Sequence, residues 1–287
     1  MIDIGVNLLS GQYDADRNAV IQRARQSGLS ALVVTASDLQ ESTAAQVFCL
    51  EHPGFLFCTA GVHPHQADAV ASQPAELWLP QIARLCNSDV VVALGEMGLD
   101  YFRNFATAAN QRRVLSAQLA LAAELQMPVF AHDRDASADM VELLLGSGVE
   151  PSSVVIHCFT GDAKALSKYL DMGCMIGITG WLCDRKRGAM LRELVARIPL
   201  DRLLIETDGP YLKPHNAPKQ PFPQAQPQPS SRRNEPALLA YVVQALADAT
   251  GTTPLELGAA TSSNAQRLFP KLNVQRPARA AQTELEQ

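Results

Sequence analysis

Apolar runs and helix-spaced stretches alternate eight times along the chain, and no other feature limits the fold as strongly. The apolar runs fall at 1–6, 31–35, 55–60, 90–94, 129–131, 154–156, 174–178 and 203–205. They are rich in valine, isoleucine and leucine and lack apolar–polar alternation, which is how strands buried on both faces of a parallel sheet read. Helical spacing is found at 16–27, 39–50, 77–86, 108–125, 136–145, 163–171, 189–198 and 259–269. Strict alternation over 287 residues predicts an α/β protein, a single (β/α)8 TIM barrel over 1–270. An open doubly wound sheet is disfavoured because no G-x-G-x-x-G follows the first strand. Residues 271–287 form a polar tail expected to be disordered, and the proline- and glutamine-rich stretch 213–231 is expected as a long surface loop after the eighth strand.

Five of the apolar runs lead into a histidine or a carboxylate: His63, Glu96, His132, His157 and Asp208. A parallel barrel puts every strand C-terminus on one face, where its active sites are built. Two neighbouring strand-end histidines with a glutamate suit a divalent metal, with imidazole favouring zinc or manganese and carboxylate favouring magnesium or manganese. Asp208 can complete such a shell or hold the attacking water as general base. Each histidine taken singly reads as readily as a hydrogen-bonded core residue, and their joint placement carries the metal reading.

Net charge is −5, which excludes a protein that coats nucleic acid nonspecifically but allows a local grip on a few phosphates. The six cysteines contain no C-x-x-C pair and read as reduced, mostly buried thiols. With no secretory leader pattern and no apolar run of membrane length, a cytoplasmic monomer that does not enter membranes is expected.

Several phrases go further: Gly61-Val62-His63-Pro64-His65, Gly95-Glu96-Met97-Gly98-Leu99-Asp100-Tyr101, Pro128-Val129-Phe130-Ala131-His132-Asp133-Arg134-Asp135, His157-Cys158-Phe159-Thr160-Gly161, Glu206-Thr207-Asp208-Gly209-Pro210-Tyr211-Leu212 and Arg232-Arg233-Asn234-Glu235-Pro236. Together they resemble the TatD family of metal-dependent deoxyribonucleases across 1–270. The resemblance implies an amidohydrolase-type barrel that hydrolyses phosphodiesters with a divalent cation, Mg2+ first and Zn2+ or Mn2+ as alternatives. It implies Glu96, His132, His157 and Asp208 as metal ligands, and Asp208, His63 and Glu96 as catalytic residues. In that scheme Asp208 orients or deprotonates water, and His63 contacts the scissile phosphate or protonates the leaving oxygen.

One departure bears on the metal. Most family members open with Asp-x-His-x-His, whereas this chain has Asp3-Ile4-Gly5-Val6-Asn7. Glycine offers no ligand atom and asparagine only a neutral oxygen, so one ion is expected to be firmly held and a second to be weak or absent without substrate. The same opening resembles a branch described as 3′-5′ exonucleases of single-stranded DNA and RNA, linked to repair of oxidatively damaged DNA.

For substrate contacts, Arg103, Arg134 and Arg233 flank the active-face phrases and suit phosphate, against the blander reading as structural ion pairs. The 185–187 Arg-Lys-Arg cluster is either a further nucleic-acid contact or a solvated helix start. Tyr101, Phe102, Phe105 and Trp181 can stack unpaired bases or simply pack loops. Glu235 reads as structural. Two competing functions remain at this level: a metal-dependent deacylase, such as one acting on D-aminoacyl-tRNA, and a barrel with a degraded metal centre kept as a binding partner. Metal-assisted hydrolysis serves acyl and phosphoryl groups alike, so a ligand set by itself does not separate the first of these.

Overall fold

The computed structural model describes residues 1–274. Eight parallel strands form one sheet in the order β1 (Ile2–Val6), β2 (Ala31–Val34), β3 (Leu56–Ala60), β4 (Val91–Asp100), β5 (Val129–Arg134), β6 (Val154–His157), β7 (Met175–Ile178) and β8 (Leu203–Ile205). At least one residue from each strand, among them Ile2, Ala31, Phe57, Val92, Phe130, Val155, Met175 and Leu204, joins a single contacting cluster, and only a barrel lumen lets eight strands meet in this way. Leu268, Phe269 and Leu272 belong to the same cluster, so packed structure continues into the first residues of the expected tail. The rest of that tail, 275–287, lies outside the described residues. Intervening strand residues such as Leu32, Cys58, Val129, Ile156 and Ile205 pack outward beneath the helices.

Four of the helices start where a side chain caps them. Asp38, Thr107 and Asp162 accept backbone N–H bonds at the starts of Leu39–Leu50, Ala108–Leu125 and Ala163–Met172. Thr253 does the same for Pro254–Leu268, where proline occupies the first turn without losing a needed N–H. Besides the five-residue Ala67–Ala71, one helix, Leu239–Thr250, was not among those expected. Its buried residues Leu239, Val242, Val243, Leu246 and Ala247 have helical spacing, and it supplies the covering helix after β8. The 18-residue Ala108–Leu125 is the longest helix described, and no helix among the described residues is long and apolar enough to cross a membrane. All six cysteines are free thiols, four of them buried.

Two irregularities shape the site. β4 continues past Glu96 to Asp100, pairing Gly98, Leu99 and Asp100 with His132, Asp133 and Arg134 of β5. Glu96 is therefore a mid-strand residue and not the strand-to-loop residue expected. Closure between the last and first strands is made mainly just beyond β8: Asp208 N–H donates to Gly5 O at 2.8 Å, Asn7 N–H donates to Gly209 O at 2.7 Å, and Val6 bridges Gly209. The segment that seals the barrel is thus the one that carries Asp208.

Candidate metal centre

Strand periodicity brings the side chains together. Phe130 and Val155 fill the lumen, so His132 and His157, two residues on, face the same axis at the mouth. Leu204 likewise sets Glu206 and Asp208, and Phe57 sets Thr59 and, beyond the strand, His63. Their meeting point is Glu96 Oε1, which has His157 Nε2 at 2.8 Å, His132 Nδ1 at 2.9 Å and His63 Nε2 at 3.2 Å. His132 Nδ1 and His157 Nε2 are 3.3 Å apart and cannot both point protons at each other. Ring lone pairs and a carboxylate oxygen converging on one point form the donor set of a divalent cation.

The far nitrogens support this fit. His157 Nδ1–H donates to Glu206 Oε2 at 3.2 Å, which turns Nε2 toward Glu96. His132 Nε2 is buried without a hydrogen-bond partner and faces Asp100 Oδ2 at 3.5 Å. Each ring thus has a carboxylate near its far nitrogen, hydrogen-bonded in His157 and unbonded in His132, and a bonded carboxylate fixes the tautomer and raises basicity in histidine metal ligands. His63 differs. Its Nδ1 accepts the His65 N–H at 3.1 Å, so its own proton sits on Nε2. It is built as a proton donor, although its ring lies close enough to Glu96 and His132 for a three-residue metal group.

Electrostatics follow from burial and crowding. Burial works against charge on Glu96, but His157 and His63 and the ring hydrogen bonds outweigh it and hold its carboxyl well below the usual range. Burial also opposes charge on His157, yet Glu96 and Glu206 keep it protonated well above the usual histidine range. His63 is pushed down by burial and is neutral near pH 7. Asp208 is pushed up to about 7, first by burial and then by neighbouring carboxylates, with His157 opposing. Metal binding would replace the protons these donors share. Asp208 also sits in the left-handed backbone region at φ +52°, held there by its bond to Gly5 O. Asn7 Nδ2 donates to Asp208 Oδ1 at 3.1 Å, fixing that carboxylate and leaving Oδ2 toward the cleft.

Gly5 has a physical reason for being glycine. A Cβ there would lie 2.3 Å from Glu206 Oε2 and 3.1 Å from Phe130 Cζ. Gly177 is held to the same standard, since its Cβ would lie 2.6 Å from Glu206 Oε1. The two glycines make room for Glu206, which is fully buried and also accepts the Cys158 N–H at 2.5 Å. The space beside Gly5 is thus filled by a carboxylate aimed at His157. Gly5→Ala is expected to displace Glu206 and weaken Mn2+ binding roughly 10- to 100-fold, as should Glu206→Gln. Calorimetric titration of the metal-free proteins checks both; unchanged affinity in both would remove Glu206 from the metal's support.

All five residues expected at strand ends line one cleft of about 990 Å3, together with Asn7, His65, Asp100, Arg103 and Arg134. Arg233 does not. It is buried beneath the floor, where Nη1 donates to Asp16 Oδ1 at 2.7 Å and Nη2 to Glu235 Oε1 at 2.6 Å, and Arg23 joins both acids from the other side. Its expected role as a substrate contact is corrected to a structural one, because both of its Nη groups are engaged by buried carboxylates and the side chain does not reach the cleft. Glu235 is structural, as expected. Sequence reasoning passed over Glu206, Asp100 and His65, whose Nε2 lies 2.7 Å from Asp100 Oδ2. All three stand inside the phrases that carry the family resemblance, but nothing local marks what each one touches.

Fold and donor set define a metal-dependent hydrolase barrel. The family model described as TatD related DNase matches residues 2–270, and the chain belongs to this family. A relative from Pectobacterium parmentieri, 45% identical over 94% of this chain and 99% of its own, bears the name 3′-5′ ssDNA/RNA exonuclease TatD. One from a Rahnella species with the same name is 46% identical over 94% of this chain and 98% of its own. Among solved structures, a TatD family hydrolase from Entamoeba histolytica superposes with a TM-score of 0.83 at 27% identity, covering 94% of this chain and 97% of that one.

Proposed function

We propose that the protein is a metal-dependent exonuclease that removes nucleotides from the 3′ end of single-stranded DNA and RNA. The observation that carries this reading is the convergence of His132, His157 and His63 on Glu96 Oε1 at the floor of an open cleft, with Asp208 beside it. The relatives' shared name supplies the substrate and polarity. Glu96, His132 and His157 would hold the cation, with Asp208 as a further ligand or as the base. When bound, the cation supplies positive charge to the phosphoryl oxygens and acidifies water. Mg2+ is the first candidate for the ion, with Mn2+ and Zn2+ as alternatives; one ion is firmly held, and Gly5 and Asn7 leave a second weak.

Asp208, held by Asn7, takes the proton of the attacking water through Oδ2. Neutral His63, with its proton on Nε2, donates a hydrogen bond to the leaving oxygen, which takes its proton from solvent. Arg134 and Arg103, both on the cleft wall, neutralise phosphates along the strand. The cleft is complete within one chain, which suits a monomer, and trimming of oxidised 3′ ends in the cytoplasm is the setting the family resemblance implies. Incubation of 5′-labelled single strands with the protein and Mg2+ should give a ladder shortening from the 3′ end, abolished by chelator. A ladder from internal cuts, or none with Mg2+, Mn2+ or Zn2+, would overturn the reading.

A further inference from the structure

One wall of the cleft is a row of stacked planes. Arg134, the last residue of β5, has its Cζ over the Phe102 ring at 4.9 Å and over the Trp181 ring at 4.9 Å. Arg187 Cζ then lies over Trp181 at 4.3 Å. The members come from loops beyond β4 and β7 and from the end of β5, and all of them line the cleft that holds Glu96 and Asp208. Arg134 is fixed by one bond from Nη1 to the Thr160 hydroxyl at 3.1 Å, and among the described residues no carboxylate neutralises it. Arg187 is partly neutralised by Asp184 at 2.8 Å. Phe102 is 59% exposed, far more than a ring of its size needs for packing. Tyr101 takes no part, because its hydroxyl is bonded to Asp139 at 2.7 Å, and Phe105 stands against His65 at 4.7 Å instead.

We propose that Phe102, Arg134 and Trp181 form a stacking clamp for unpaired nucleobases next to the scissile phosphodiester, and that this clamp makes the enzyme select single strands. The inference rests on the nuclease reading above. Flat aromatic and guanidinium faces accept any base, since every base has a π face, so the clamp selects without reading sequence. In a duplex those faces are buried against neighbouring pairs and are not offered. Arg134 fills the space between the two rings, so the terminal base stacks on the exposed Phe102 ring while Arg134 and Trp181 back that ring and Arg134 adds a charge for the adjacent phosphate.

The test compares ordinary single-stranded oligonucleotides with ones of equal length whose last bases at the 3′ end are removed, leaving abasic sugars and every phosphate. In Mg2+, wild-type protein should show a KM about 5- to 100-fold higher on the abasic strand, with kcat changed far less. Phe102→Ala should raise KM on the ordinary strand by a similar factor and have no further effect on the abasic one, whereas Phe102→Tyr should restore it. A direct readout is available because Trp78 is only 4% exposed, so added strand reports on Trp181. In the Asp208→Asn background, ordinary oligonucleotide should quench the fluorescence and abasic oligonucleotide should not. Equal KM on both strands, with cleavage intact, would overturn the clamp and leave the nuclease standing. Equal losses on both strands in Phe102→Ala would also overturn it, showing a loop that merely needs its phenylalanine. Failure to cleave or bind either strand would overturn both readings.

Discussion

Asp208→Asn is expected to lower kcat by about 100- to 10,000-fold, the range spanned by removal of a positioned general base. The substitution is nearly isosteric. Its carbonyl oxygen can still accept from Asn7, which puts an NH2 group where Oδ2 faced the cleft and removes the acceptor for the water proton. Stability should not suffer, and its pH dependence gives a second reading. Burial raises the Asp208 pKa from 3.8 to about 7, so the folded protein binds this proton more tightly than the unfolded chain does. The stability it contributes is full below about pH 4 and is lost as pH rises toward 7. In chelator, thermal unfolding from pH 4 to 7 should therefore decline less steeply in Asp208→Asn than in wild type. Turnover retained by the variant would remove Asp208 from the base role.

Arg233→Ala is expected to cost about 3–5 kcal/mol of stability, the usual result of breaking a buried ion pair from one side. Asp16 and Glu235 face it with side chains 3% and 0% exposed, and the loss would leave both acids leaning on Arg23 alone. Asp16 shows the dependence. Burial opposes its charge, but Arg233 and Arg23 pull its carboxyl below the usual value, so its contribution is present near neutrality and is lost as the solution is acidified through that lowered pKa. Urea titration of wild type and variant checks the magnitude. The folded fraction of Arg233→Ala should retain its KM for single strands. Undiminished stability with a raised KM would return Arg233 to the substrate.

How much of this was legible in the sequence varies with the kind of interaction. The barrel was, because continuous apolar runs and helical spacing are local signals and alternate without exception. The cluster that lines the cleft was also legible, because His132, His157 and Asp208 stand at the ends of such runs. Glu96 was identified but misplaced within its strand, because nothing local shows that β4 runs on to Asp100 to pair with β5. Arg233 was misread because a phrase beside the active face gives no sign of which way an arginine turns, and its partners Asp16 and the Gln12 carbonyl are 217 and 221 residues away in the chain. Glu206 was missed for a related reason: its importance lies in the space left by Gly5 and Gly177, and a space made by two distant glycines has no signature in either neighbourhood.

The proline- and glutamine-rich excursion ends where it begins. Asn234 N–H donates to Pro210 O at 3.0 Å, and the Asn234 side chain reaches Thr207 O at 2.9 Å. Lys213 Nζ meanwhile holds Ser231 O at 2.8 Å, and none of 213–231 lines the cleft. The stretch is a closed bight, moored at its neck. Because the cost of closing a loop grows only slowly with its length, the neck can carry a longer or shorter bight without disturbing Asp208. This is a place where evolution can splice freely, two residues from the most sensitive carboxylate in the molecule.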